Sequence, residues 1–78
     1  MVIYEIERNP LEKIRIEISE YEGKRYLHLR TYFNRSDGPK DDWRPTRKGI
    51  CLPLERADEL QEGIQKLMAK IAEGVDLN

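Results

Sequence analysis

The chain has 78 residues, 37% of them charged and 38% hydrophobic, and a formal net charge of −1 at pH 7. One cysteine and one histidine exclude an intrachain disulfide and a zinc site built from Cys and His ligands. No stretch approaches the roughly 18 apolar residues of a membrane span, and the acidic start differs from a signal peptide. We therefore expect one intracellular domain over residues 1–78, without metal or cofactor. Because so small a domain buries only about 60% of its unfolded surface, we also expect it to oligomerise.

The first half of the chain shows the period-two alternation of antiparallel strands. MVIYEI at the N-terminus predicts a strand, and KIRIEIS at 13–19 predicts a clearer one, with isoleucines alternating with polar residues. A linker containing Gly23 separates the latter from KRYLHLRTYF, so these two runs predict a hairpin. The polar segment 34–42 predicts a loop. In the next extended segment, WRPTRKGICL, Pro45 fits an edge strand or a break, and Gly49 fits a bulge or bend.

The hydrophobic period changes at Pro53. Apolar residues then recur every three or four positions, which predicts one C-terminal helix that stops near Gly74. Four of these residues also fit a heptad seam: Leu60, Ile64, Leu67 and Ile71. Either the helix lies on its own sheet, or the seam packs against a second copy. The predicted fold is α+β, with antiparallel strands followed by one helix.

No pattern typical of an active site is present in the sequence. There is no GxSxG, no glycine-rich phosphate loop and no HExxH. Cys51 lies between Ile50 and Leu52, which is typical of a buried structural thiol. His28 alternates with leucines and is interpreted as a bystander or a single polar contact. We therefore predict that the protein is not an enzyme.

The polar side of the predicted hairpin combines cations with aromatic rings. Cations neutralise phosphates, and rings stack on unpaired bases for about 1–3 kcal/mol each. Strict alternation places the following side chains on one surface: Lys13, Arg15, Lys24, Tyr26, His28, Arg30 and Tyr32. Residues 13–48 hold ten Lys and Arg against six acidic residues, whereas residues 49–78 hold three against six. This pattern favours a surface for single-stranded nucleic acid, and an ordinary solvated sheet face is the alternative.

Three segments in order resemble one known family. Residues 21–24 read YEGK, residues 29–33 read LRTYF, and residues 44–52 read RPTRKGICL. Followed by a helix, they are similar to the transcriptional positive cofactor four (Sub-one) family of single-stranded DNA-binding coactivators. The similarity runs from about residue 13 to residue 71, and the ordered combination is more specific than any one segment.

The resemblance implies a homodimer of curved antiparallel sheets of about four strands each, which pack through their C-terminal helices. The seam residues Leu60, Ile64, Leu67 and Ile71 would form that interface. The implied stacking rings are Tyr21 and Phe33. The implied DNA-contacting cations are Lys24, Arg30, Arg44, Arg47 and Lys48.

The choice between Tyr32 and Phe33 as the second stacking ring stays open. Strict alternation puts Tyr32, not Phe33, on the side of Arg30, so the Phe33 assignment requires a bulge or strand end nearby. Lys13 and Arg15 of the neighbouring strand complete the predicted nucleic-acid-binding set.

The chain departs from the family pattern at three places. Glu22 stands where lysine is common, Phe33 replaces a tryptophan, and the loop at 34–42 is longer and acidic. Each departure is of a kind that lowers affinity for DNA, and whether Glu22 and the loop weaken the binding groove or tune it stays open. The chain also lacks the Ser/Lys-rich N-terminal tail of eukaryotic coactivators, so we expect a short prokaryotic or viral type. It would be cytoplasmic and nucleoid-associated if prokaryotic, and nuclear if eukaryotic.

The sequence therefore predicts a dimeric, non-enzymatic protein that binds single-stranded DNA with little sequence preference, in transcription regulation or DNA maintenance. Two alternatives stay open. The first is single-stranded RNA, which the same surface would also suit. The second is a protein-interaction module that docks a partner such as the transcription machinery.

Overall fold

The computed structural model describes residues 1–76, which form a four-stranded antiparallel sheet followed by an α-helix. The strands lie in chain order across the sheet. The elements have these bounds: β1 Val2–Asn9, β2 Glu12–Tyr21, β3 Lys24–Asn34, β4 Trp43–Pro53 and α1 Ala57–Glu73. The predicted α+β fold is confirmed, including the β2–β3 hairpin and the helix end at Gly74.

The predicted helix starts later than its sequence pattern indicates. Pro53 is the last residue of β4, and a single-turn 3-10 helix, Leu54–Arg56, connects it to α1. Proline suits an edge strand because it has no N–H to leave unpaired, and β4 is an edge of this sheet. No described helix is long and apolar enough to cross a membrane.

Alternation along β2 and β3 gives the sheet two chemically different faces. The two strands pair without interruption, with Ile16 opposite Leu29 and Arg15 opposite Arg30. Cross-strand partners project to the same side of a sheet. The apolar face therefore comprises Ile14, Ile16, Ile18, Leu27 and Leu29, and the polar face comprises Lys13, Arg15, His28, Arg30 and Tyr32.

One copy of the chain has little hydrophobic core of its own. Among the described residues, Leu27 is the one buried hydrophobic side chain, at 5% exposure. α1 packs mainly on the 3-10 helix before it, and none of its described residues is buried. Its seam residues Ile64, Leu67 and Ile71 are about half exposed. Of the two placements that the sequence left open, the helix lying on its own sheet is not observed, and the homodimer remains a prediction.

The β2–β3 hairpin closes in the two-residue turn Glu22–Gly23, between the paired residues Tyr21 and Lys24. Both turn residues have a positive φ, 51° at Glu22 and 77° at Gly23. A type I′ turn requires a positive φ at both positions, and glycine adopts it freely. A residue with a Cβ atom pays about 1 kcal/mol there, so Glu22 is a strained position.

We expect Glu22→Asn to stabilise the fold by about 0.5–1 kcal/mol, because asparagine tolerates the left-handed conformation. Thermal unfolding at fixed protein concentration should show a Tm roughly 2–8 °C higher. Glu22→Ala removes the same charge without gaining that tolerance, so it should leave Tm nearly unchanged. An equal rise in both variants would contradict the backbone explanation and assign the effect to charge.

Candidate nucleic-acid interface

A bulge in the edge strand β4 presents two of the predicted DNA-binding cations. The pairing with β3 jumps from Gly49 to Pro45 while β3 advances by only two residues, so residues 46–48 stand against Thr31 alone and β4 has two residues in excess. Arg47 and Lys48 lie in this bulge and are exposed. Among the described residues, neither charged group has an ion-pair partner. Both cations are therefore free for an external anion.

The bulge is held by hydrogen bonds from both sides. The Thr46 hydroxyl donates to the carbonyl oxygen of Thr31 at 2.8 Å and accepts from the backbone N–H two residues on, at 3.1 Å. The Arg30 guanidinium donates to the Thr46 carbonyl oxygen at 3.0 Å. At Gly49 the strands approach closely, since a Cβ there would lie 2.9 Å from the carbonyl oxygen of Leu29. The predicted irregularity at Gly49 is thus confirmed.

The hairpin end places an exposed ring beside a free cation. Tyr21 is 67% exposed, and its cross-strand partner is Lys24. Lys24 is exposed and has no ion-pair partner among the described residues. An open groove of about 630 Å³ adjoins this pair, lined by Gly23, Lys24, Arg25, Tyr26, Pro53, Leu54 and Glu55. A ring for base stacking and a cation for phosphate therefore lie side by side.

Lys13 and Arg15, by contrast, are engaged by acidic residues of the sheet. Glu5 Oε2 accepts hydrogen bonds from Lys13 Nζ at 2.9 Å and from Arg15 Nε at 2.7 Å. Arg15 Nη1 also lies 3.8 Å from Glu17 Oε1. The two cations hold the pKa of Glu5 below its ordinary value, and the Glu5 carboxylate holds the pKa of Arg15 above its own.

Tyr32 and Phe33 lie on opposite faces of the sheet. The Tyr32 hydroxyl donates to Glu17 Oε1 at 2.9 Å, and the Arg15 guanidinium lies 4.2 Å from the centre of its ring. Burial raises the pKa of Tyr32, and the contact with Glu17 raises it further. Phe33 is 38% exposed at the end of the apolar face. The irregularity that the Phe33 assignment requires lies in β4, whereas β3 stays regular against β2. Tyr32 is already engaged by Glu17 and Arg15, so Phe33 is the ring with fewer polar contacts. Which of the two rings stacks on a base stays a prediction.

The acidic loop at 35–42 reaches one of the predicted cations. The side-chain oxygen of Asn34 accepts from the backbone N–H groups of Ser36 and Asp42, both at 3.1 Å, which closes the loop. Asp42 Oδ1 in turn accepts from Arg44 Nε at 2.9 Å. The loop therefore offsets the charge of Arg44 within the chain itself.

The order of strands, bulge and helix can now be compared with known families. The family model described as Transcriptional Coactivator p15 (PC4) matches residues 9–63, more than half of the chain. The chain belongs to the PC4 family. This is the positive cofactor four family that the sequence resembles, so that resemblance is confirmed.

Solved structures of PC4 homologues share this fold. One from Burkholderia pseudomallei is 28% identical, with a TM-score of 0.77 over 87% of this chain and 88% of that chain. A bacteriophage T5 homologue, implicated in recombination-dependent DNA replication, is 24% identical, with a TM-score of 0.68 over 88% and 76%. MoSub1 in complex with single-stranded DNA is 20% identical, with a TM-score of 0.58 over 95% and 83%. Comparison with curated protein sequences finds no match.

In this PC4-family chain, Cys51 is exposed, so the prediction of a buried structural thiol is wrong. Alternation in β4 turns Ile50 and Leu52 toward the apolar face and Cys51 toward the polar face, opposite His28. Cys51 Sγ lies 4.0 Å from His28 Nε2, which is 2.5 Å from Ser19 Oγ. Within residues 1–76, no three potential metal ligands come together.

Sequence reasoning missed two residues of the polar face, Glu5 and Trp43. The ring of Trp43 lies 4.2 Å from Lys13 Nζ. A small recess of about 280 Å³ is lined by Glu5, Glu7, Lys13, Asp41 and Trp43. Alternation in β1 predicts that Glu5 and Glu7 share a side, but only the strand register shows that Glu5 stands opposite Arg15 and Glu7 opposite Lys13.

We expect the pKa of the Glu5 carboxyl to lie below its ordinary value in the folded protein, because Lys13 and Arg15 favour its charged form. The ion pairs then stabilise the fold above the unfolded-state pKa, and this contribution is lost as pH falls through the folded-state pKa. Carboxyl ¹³C NMR titration measures the value directly. Arg15→Gln should raise it toward the ordinary range.

Arg8→Gln is the matched control, because Arg8 pairs with Glu12 rather than Glu5, at 4.0 Å. It should leave the titration of Glu5 nearly unchanged. An ordinary pKa for Glu5 in the unmodified protein would show that the ion pairs do not persist in solution.

Proposed function

We propose that this PC4-family protein binds single-stranded DNA with little sequence preference, in transcription regulation or DNA maintenance. The observation that carries the proposal is the set of exposed cations without ion-pair partners within residues 1–76: Lys24 beside the Tyr21 ring, and Arg47 and Lys48 in the bulge. Such cations are available to phosphates, and the exposed ring is available to an unpaired base. A duplex hides its base faces, so single strands should bind more tightly.

Family membership supports this function, and MoSub1 forms a complex with single-stranded DNA. We extend that property to this chain because its own surface offers the required chemistry. Binding, rather than catalysis, is the role we propose, in the compartment that holds the cell's DNA. Membership in a family described as a transcriptional coactivator also supports docking of the transcription machinery as a second role.

We further propose that the protein is a homodimer packed through α1. The seam residues Ile64, Leu67 and Ile71 follow one helix face and are about half exposed in a single copy. Full burial of an exposed side chain of this kind is worth roughly 1.5–3 kcal/mol, so covering the exposed half contributes about 0.8–1.5 kcal/mol each, which a small chain without disulfides needs. A second copy would supply an identical seam.

Fluorescence anisotropy with labelled oligo(dT) of about 20 nucleotides tests the DNA-binding proposal. We expect binding at low salt, weaker binding to a duplex of equal length, and a negative slope of log K against log salt. A matched RNA oligomer in competition decides between DNA and RNA. Absence of binding at low salt would overturn the proposal.

The double variant Arg47→Ala/Lys48→Ala should flatten that salt slope by up to about 1.4, the value for two single-strand phosphate contacts. Lys66→Ala/Lys70→Ala removes the same charge from α1, where both lysines pair with neighbouring glutamates at 3.5 and 3.8 Å. This control should leave the slope nearly unchanged. Equal flattening in both double variants would mean that net charge, not the bulge, sets the binding.

Sedimentation equilibrium tests the homodimer. We expect Leu67→Asp to abolish dimerisation, because it places a charge in the apolar seam. Gln65→Asp introduces the same charge about 160° around the helix from Leu67 and should leave the dimer intact. A monomer for the unmodified protein, or dissociation in both variants, would refute packing through this seam.

A further inference from the structure

Two cations of the polar face are held by one carboxylate from the neighbouring edge strand. Glu5 accepts from Lys13 and Arg15 through the same oxygen, at 2.9 and 2.7 Å. The side chain of Glu5 is 38% exposed, whereas those of Lys13 and Arg15 are 16% and 24% exposed. Glu5 is thus the member of this cluster whose side chain is most open to solvent.

The strand register explains why these cations need a partner. Arg15 and Arg30 stand directly opposite each other in the β2–β3 pairing. Like charges in that position repel, and the two guanidinium groups diverge. Arg15 turns to Glu5 on β1, and Arg30 turns to the Thr46 carbonyl on β4.

A carboxylate bridging an ammonium and a guanidinium makes the contacts that a phosphate would make. Both are anions whose oxygens accept charge-assisted hydrogen bonds from Lys and Arg. We propose that Glu5 is an internal competitor of nucleic-acid phosphate, which withholds Lys13 and Arg15 and confines the bound strand to the β3–β4 side of the polar face. This inference rests on the proposed binding of single-stranded DNA.

A second acidic residue limits how much charge the loss of Glu5 would release. Glu17 lies 3.8 Å from Arg15 and accepts the hydroxyl hydrogen bond of Tyr32. Removing the Glu5 charge therefore leaves Arg15 beside Glu17 and Lys13 over the Trp43 ring, at 4.2 Å, so each cation is freed in part. The released cations sit in the same cross-strand rows as Arg30 and Tyr32, so they extend the cationic surface toward β1.

Glu5→Gln tests this inference, because it keeps the shape of the side chain and removes its charge. Glu7→Gln is the matched control: Glu7 lies on the same strand, lines the same recess and stands opposite Lys13, but it has no ion-pair partner among the described residues. Both variants change the net charge equally. Glu5→Thr is a second variant for use if the Glu5→Gln protein does not fold, because threonine also removes the charge and favours β-strands.

Anisotropy titrations with labelled oligo(dT) over a salt series compare these proteins. Glu5→Gln should bind roughly three- to tenfold more tightly than Glu7→Gln, with a salt slope steeper by about 0.7–1.4. Adding Arg15→Gln to Glu5→Gln should remove part of this gain. Circular dichroism and thermal unfolding establish that each variant is folded.

Equal affinity and equal salt slope for Glu5→Gln and Glu7→Gln would overturn the competitor role while leaving DNA binding intact, and would assign Glu5 to stability alone. Tighter binding by Glu5→Gln than by both the unmodified protein and Glu7→Gln would support the competitor role. If no folded variant binds, the proposed DNA-binding function itself fails, and this inference fails with it.

Discussion

Burial of apolar surface is the constraint on which the rest of this structure depends. The sheet has a continuous apolar face and the helix has an apolar seam, yet Leu27 is the one described hydrophobic side chain that a single copy buries. Each Å² of apolar surface removed from water contributes roughly 25 cal/mol, so burying this exposed area would stabilise the fold more than any other available change. A second copy of the chain would bury it. The polar face would remain on the other side of the sheet for a ligand.

Electrostatics divides the polar face into two halves with different roles. On the β1–β2 side, carboxylates neutralise Lys13 and Arg15, whereas Arg47 and Lys48 in the bulge on β4 have no ion-pair partner in the part of the chain that the structure describes. Pairing within the chain lowers the gain from contacting an external phosphate, because the internal ion pair must first be broken. The acidic loop extends the same effect to Arg44. A protein with a net charge of −1 can therefore present a local cationic path.

The elements of the fold were predictable because their patterns are local. Alternating isoleucines fixed which side of β2 is apolar, and the Pro and Gly positions in β4 marked its irregularity. Alternation also predicts the exposed position of Cys51, since Ile50 and Leu52 project to the opposite side of β4. The prediction of a buried thiol was wrong because it relied on these apolar neighbours, which face the other way. The burial of a strand residue depends on the face to which it projects, not on its neighbours in sequence.

The sequence by itself determined the fold class, the family, and the residue types that form the cationic and aromatic surface. Only the tertiary structure decided which cations are free. The sequence does not distinguish the paired cations, Lys13 and Arg15, from the cations of the bulge, Arg47 and Lys48. Contacts between strands decide which of them form ion pairs. Glu5 meets Arg15 from ten positions away because β1 pairs with β2 in one register. Charge pairing acts over a few ångströms of space, so it follows the register of the strands rather than their order along the chain.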